Sequence, residues 1–172
     1  MRKLISLSLF ALVLGSVQAQ EIKIGPGIDI VTPISNDLSD IAGAGFGVSA
    51  RGQVGFVDKF SIMGTVGFQS FSKEAGSRVS MIPAQFGFKY ALMDAKVAKF
   101  YFSGEAGIHS IKVNPSQGSD LDASVFSYAP GFGVQIQNID LSAKFQFMGK
   151  SDDLQDASTN YFGIRLGYMF GL

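Results

Sequence analysis

Phe162-Gly163-Ile164-Arg165-Leu166-Gly167-Tyr168-Met169-Phe170-Gly171-Leu172 is the stretch whose reading decides the fold class. Phe162, Ile164, Leu166, Tyr168, Phe170 and Leu172 take every second position, with Gly163, Arg165, Gly167, Met169 and Gly171 between them. Side chains of a strand point to opposite faces with period two, so the stretch predicts a strand with one wholly apolar face backed by a small or polar one.

Working outward, the same pattern recurs. Phe46, Val48, Ala50, Val54 and Phe56 alternate with Gly47, Ser49, Arg51, Gln53 and Gly55. Phe60, Ile62, Val66 and Phe68 alternate with Ser61, Met63, Thr65, Gly67 and Gln69. Three further segments set Ile82, Phe86 and Phe88 against Gln85 and Lys89; Phe100, Phe102 and Ile108 against Ser103, Glu105 and His109; and Tyr128, Phe132 and Val134 against Gly131, Gly133 and Gln135. Leu141, Ala143, Phe145 and Phe147 are backed by Ser142, Lys144 and Gln146. With the weaker segment 22–31, which Gly25-Pro26-Gly27 interrupts, the expectation is eight strands. Proline donates nothing to a ladder, so Pro83 and Pro130 are expected near a rim or a bulge.

The connections alternate as well. Residues 32–44, 72–80, 114–124 and 149–159 are long and rich in Ser, Asp, Asn and Gly, whereas 57–59 and 137–140 are short and 91–99 intermediate. Long loops at one end and short turns at the other follow the plan of an outer-membrane barrel, long outside and short in the periplasm. Four long and three short links put both chain ends on the short-turn side.

The start of the chain has another character. Met1-Arg2-Lys3 is basic, residues 4–15 are almost unbrokenly apolar, and Val17-Gln18-Ala19 supplies small residues for cleavage. That is the make-up of a secretory signal over residues 1–19, since the apolar run is shorter than the ~20 residues a membrane-spanning helix needs. Its removal takes Arg2 and Lys3 from the 14 basic residues and nothing from the 14 acidic ones, leaving 12 against 14, a net of −2. No basic excess points to nucleic acid. With no cysteine, disulfides and thiolate–zinc chemistry are excluded. The composition, 47% hydrophobic with a mean hydropathy of +0.25, 16 Phe and 21 Gly, suits strands and not helices.

Which face turns outward follows from size. An eight-stranded barrel has an interior just wide enough for side chains or one small ligand. A soluble, lipocalin-like barrel would have to pack most of the Phe residues into that space and show a Gly, Ser and Gln exterior. Turned outward, the apolar face meets lipid, small and polar residues fit the lumen, and closure satisfies every backbone group as hydrocarbon demands. The fold class is therefore all-β: an eight-stranded antiparallel up-and-down transmembrane β-barrel over residues 20–172.

Signal segment, strands and loop alternation together resemble the small OmpA- and OmpX-type outer-membrane barrel family. The terminal strand carries the most specific motif. Arg165-x-Gly167-x-x-Phe170-x-Leu172 is similar to the polar-x-Gly-x-x-aromatic-x-apolar signal that the barrel assembly machinery recognises in that family, with Leu172 in place of the more usual aromatic. The resemblance implies a Gram-negative outer-membrane location, loops extracellular and termini periplasmic. It implies contact with outer-membrane lipid and lipopolysaccharide, the assembly machinery as a partner in biogenesis, and a monomer. The peptidoglycan-binding domain of full OmpA proteins is not represented after Leu172, so tethering to the cell wall is not carried over.

Chemistry has only the inner face to work with. Lys23, Asp29, Arg51, Lys89, Glu105, His109, Lys144 and Arg165 all fall there. Charges in so narrow a space must be paired or hydrated. One reading is an ion-selective pore with a slight positive bias; the plainer one is a plug of salt bridges with Gln53, Gln69, Gln85, Gln135 and Gln146. His109, the single histidine, invites a lipid-hydrolase reading, but Ser110 points to the opposite face. Ser103, Ser127 and Ser142 would meet His109 only by coincidence of register, and a general base needs its nucleophile within hydrogen-bond reach. No catalytic residue, cofactor or metal site is expected. Asp37, Asp40, Asp120, Asp122, Asp152, Asp153 and Asp156 make three loops acidic; bridging of divalent ions to lipopolysaccharide competes with plain solvation, and no spacing matches a calcium loop. The expected role is a non-enzymatic envelope barrel for stabilisation or adhesion, with a narrow porin-like channel as the alternative and a His109 enzyme behind both.

Overall fold

A computed structural model of the chain describes residues 21–35, 38–39, 43–72, 78–95, 97–114, 121–149 and 159–172. The expected signal segment 1–19 lies outside them, as do Asp37, Asp40, Asp120, Asp152, Asp153 and Asp156, while Asp122 falls within a strand.

The strands in chain order are β1 (Ile22–Pro33), β2 (Gly45–Val57), β3 (Phe60–Ser72), β4 (Arg78–Asp94), β5 (Ala98–Asn114), β6 (Leu121–Ile136), β7 (Ile139–Met148) and β8 (Tyr161–Tyr168), with a short β9 (Phe170–Gly171). Each pairs antiparallel with its sequence neighbour, and β1 pairs with both β2 and β8, so the sheet closes into a barrel. β9 continues β8 against the same partner, through Lys23↔Gly171 and Ile24↔Phe170, in the register that Ile28↔Leu166 already sets. The architecture is one closed eight-stranded antiparallel barrel. Links of several residues join the strands at one end (the loop end); turns and both ends of the described chain lie at the other (the turn end).

Alternation sorts the faces. Phe46 is 72% exposed and Phe86 66%, whereas Arg51 and Gln69 are each 2% exposed, which puts large apolar groups outside and polar ones inside.

The prolines depart from expectation. Pro83 and Pro130 lie inside their strands and, like Pro26, cause no register shift; the two shifts fall at Gly55/Val57 and Ala91/Met93, beside short turns. Each of these three prolines instead leaves a two-pair gap in one ladder. Pairs are missing between Gly67-Phe68 and Ile82-Pro83, between Ala129-Pro130 and Phe145-Gln146, and between Gly25-Pro26 and Tyr168-Met169. A proline has no N–H to donate, so one edge of its strand loses its bonds while the other stays paired, as in Pro83↔His109 and Gly104↔Pro130. The third gap is what separates β9 from β8.

A second departure concerns the strand ends. Toward the loop end the polarity of the two faces inverts. Thr32, Ser110 and Ser124 point outward, while Val31, Phe71, Val79, Met81, Ile111, Val125, Met148 and Tyr161 point inward and form one buried cluster. A small or polar inner face was the expectation; past the apolar belt, the outside turns polar and the inside becomes a small core.

Candidate functional site

The barrel interior is built in layers, and Asp140 is the centre of the first. The two-residue turn Gln137-Asn138 joins the paired Ile136 and Ile139, with Gln137 at φ 52°. Asn138 Nδ2 donates to the Tyr168 hydroxyl (3.1 Å), and its carbonyl accepts the Met169 N–H (2.7 Å). So held, β7 begins with Asp140 pointing inward, 0% exposed. Its carboxylate accepts Lys89 Nζ (2.7 Å), the Tyr101 hydroxyl (2.9 Å) and Arg51 Nη1 (3.3 Å), and lies 3.6 Å from Arg165 Nη1. Arg51 also donates to Glu105 Oε1 (2.9 Å) and the Thr65 hydroxyl (3.1 Å). Lys89 spends its other donors on Gln53 and Gln135 (3.1 Å each) and sits 3.8 Å over the Tyr101 ring. Buried ions of both signs, joined by hydrogen bonds, meet the condition under which charge is tolerated away from water.

Below this layer, toward the turn end, a polar vestibule of about 480 Å³ is lined by Lys23, Gln53, Ser61, Lys89, Tyr101 and Gln135 among others. Lys23 pairs there with Glu21 (2.9 Å).

Above it, Lys144 Nζ donates to Gln85 Oε1 (2.8 Å) and lies 3.7 Å from Glu105 Oε2. Gln85 Nε2 donates in turn to Gln146 Oε1 (3.1 Å). Gln146 Nε2 donates to the Tyr128 carbonyl (3.3 Å), at the edge of the gap that Pro130 opens. Asp29 Oδ2 and Gln69 Oε1, on either side of Gly47, have no hydrogen-bond partner among the described residues.

His109 occupies the next level and brings a result that register alone did not reveal. Its Nδ1 is 2.8 Å from Ser127 Oγ and its Nε2 is 3.1 Å from the Tyr161 hydroxyl. His109 pairs with Val125, and Ser127 is the diagonal neighbour two residues on, within reach of the ring. Ser127 Oγ also lies 3.4 Å from the Gly107 carbonyl, so its single proton has two acceptors within reach, and the His109 tautomer follows from which one takes it. Both residues are 0% exposed. The pair is hydrogen-bonded and enclosed by the described residues.

The apolar cap closes the loop end. Leu38, beside Ser39 whose N–H donates to the Ser35 carbonyl (3.0 Å), is 0% exposed inside the cluster of strand-end residues. β2 gives the cap glycines instead of side chains. A Cβ at Gly45 would meet the Phe71 ring at 3.1 Å, so the absence of one makes room for that ring. Asn160 ties the first connection to the last strands, accepting the Ile34 N–H (3.0 Å) at its carbonyl and the Met148 N–H (2.9 Å) at its side chain.

Lys23, Asp29, Arg51, Lys89, Glu105, His109 and Arg165 are thus buried inside the barrel, and Lys144 is nearly so. Sequence reasoning missed Tyr101, which lies inside a recognised segment between Phe100 and Phe102, and Asp140 and Tyr161, each one alternation step beyond one. Of the terminal-strand motif, Arg165 and Gly167 face inward, whereas Phe170 (51%) and Leu172 (85%) are exposed. Among the described residues no group of three or more His, Cys, Asp or Glu is placed to hold a metal ion.

Residues 5–170 match the family model described as outer membrane protein beta-barrel domain. No curated protein matches the chain. Among solved structures, it is similar to the neisserial surface protein A, with a TM-score of 0.60 at 14% identity over 88% of this chain and 96% of that one. It is also similar to Ail, the attachment invasion locus protein of Yersinia pestis, with a TM-score of 0.50 at 18% identity over 87% of this chain and 97% of that one.

Proposed function

The chain belongs to the outer membrane protein beta-barrel domain family, and from that premise we propose that it is a non-enzymatic structural barrel of the Gram-negative outer membrane with a filled lumen. Its long connections face the cell exterior, its termini and short turns the periplasm. In this role the barrel stabilises the envelope and presents its loops for adhesion, with lipid and lipopolysaccharide as its surroundings.

The observation that carries this reading is that the lumen is stopped twice. Arg51, Lys89 and Arg165 converge on Asp140 across its turn-end half, and Leu38 with seven strand-end residues and Tyr161 fills its loop-end half. Small barrels are commonly filled by their own side chains. Planar-bilayer recording of the purified, refolded protein tests it: no resolved channel events are expected, and steady openings would establish the narrow porin-like channel instead.

The hydrogen bond between His109 and Ser127 favours a second reading, a lipid-modifying barrel. Complete burial of both residues counts against it. A strain carrying His109→Ala should keep the parental acyl pattern of its outer-membrane lipids; an altered pattern would make the enzyme reading the better one.

A further inference from the structure

The barrel closes where β8 meets β1, and that seam is weakest at Pro26. Gly25 and Pro26 form no ladder pairs with Met169 and Tyr168. A Cβ at Gly25 would collide with the Tyr168 carbonyl, so the two backbones approach closely there, and Pro26 has no N–H to give the seam. The Met169 N–H faces the other neighbour and donates to the Asn138 carbonyl (2.7 Å), continuing the register of β7 with β8.

Arg165 sits on the inner side of this seam and does not take the obvious partner. Asp29 is its register partner on β1, yet Asp29 Oδ2 is left without a donor. The Arg165 side chain instead lies along Gly27 and Gly167: a Cβ at Gly27 would come within 2.7 Å of its Cζ, and one at Gly167 would run into its Nη1. Along that track Nε reaches Ser49 on β2 (3.0 Å), Nη2 reaches the Gly25 carbonyl in the gap (3.4 Å), and Nη1 approaches Asp140 on β7 (3.6 Å). One side chain of the last strand thereby touches β1, β2 and β7.

We propose that Arg165 is the latch of the closing seam: it bolts β8 to β1, β2 and β7 where Pro26 interrupts the ladder. The ionic layer around Asp140 is then complete only in a shut barrel, and release of Arg165 makes the seam the first place to part. This holds whether or not the lumen conducts.

The test follows the rate at which the folded, heat-modifiable gel band is lost in concentrated urea, with the full mature chain in detergent. Arg165→Met should unfold about 10- to 100-fold faster, the range expected for losing hydrogen bonds to a charged group. A cysteine pair replacing Ile28 and Leu166, register partners on the outer face of the seam, should abolish that acceleration once linked by oxidation or a short bifunctional thiol reagent. The same link between Ala84 and Ile108, across β4 and β5, should leave it in place. Gly27→Ala keeps the guanidinium but blocks its track, and covers the case in which Arg165→Met does not fold; it should show the same acceleration and the same cure. An unchanged rate in these variants, or equal rescue by both links, would make Arg165 an ordinary member of the ionic layer and overturn the latch.

Discussion

Asp140→Asn is the substitution that the interior punishes most. The carboxylate is fully buried and faces Lys89 at 2.7 Å, Arg51 at 3.3 Å and Arg165 at 3.6 Å. Asparagine keeps the shape and can still accept the Tyr101 hydroxyl, but the three cations lose the charge they share, and of them Arg51 keeps its ion pair with Glu105. Removing one partner of a buried pair costs about 3–5 kcal/mol, and the retained acceptor puts the expectation near the lower figure, ~3 kcal/mol. Urea unfolding in lipid vesicles, followed by circular dichroism and by gel shift, measures it. Asp94→Asn is the internal control: Asp94 pairs with Lys99 at 3.2 Å, but both side chains are 46% exposed. Such a pair contributes about 0.2–1 kcal/mol. If the two substitutions cost the same, the ionic layer is hydrated and the layered interior is misread.

Three further outcomes follow from the same geometry. Leu166→Arg places a charge on the lipid-facing wall and should cost about 2–4 kcal/mol in the same unfolding assay if it lies near the midplane. Leu38→Ala empties part of the cap and should cost about 2–3 kcal/mol, toward the low end for buried leucines because a connecting segment can settle inward; no measurable loss would mean Leu38 does not pack there. Gln137→Gly should stabilise by ~1 kcal/mol, since Gln137 holds a left-handed φ of 52° that glycine adopts freely, and a loss of stability would mean its side chain matters more than its backbone.

Much of this molecule is legible by counting in twos. The closing strand, the outward Phe residues and the eight inward ionic residues all follow from alternation plus the size of a small barrel. Tyr101, Asp140 and Tyr161 obey the same parity: Tyr101 sits between the outward Phe100 and Phe102 but is itself aromatic, and extending two other segments by a residue would have found Asp140 and Tyr161. The cap was hidden for a different reason. In Val79-Ser80-Met81-Ile82 and in Ile108-His109-Ser110-Ile111 apolar residues fall on both faces, because the strand leaves the apolar belt and its polarity turns over. No period survives such a switch. The His109–Ser127 contact was hidden too, since a diagonal contact depends on register and on ring direction. The prolines misled because a missing N–H was equated with a bend, whereas here it costs bonds on one edge and leaves the register intact.

The central claim, that the lumen is sealed between a wet vestibule and an apolar cap, is tested most directly by thiol accessibility in a chain with no cysteine of its own. Single cysteines at Ser61, Thr65, Met81 and Leu166 are exposed to a charged, water-soluble thiol reagent added to both sides of proteoliposomes. Ser61→Cys, lining the vestibule, should label readily, while Thr65→Cys, Met81→Cys and the lipid-facing Leu166→Cys should stay protected until the barrel is unfolded. Labelling of Thr65→Cys and Met81→Cys as fast as Ser61→Cys would reveal a continuous water path and contradict the account.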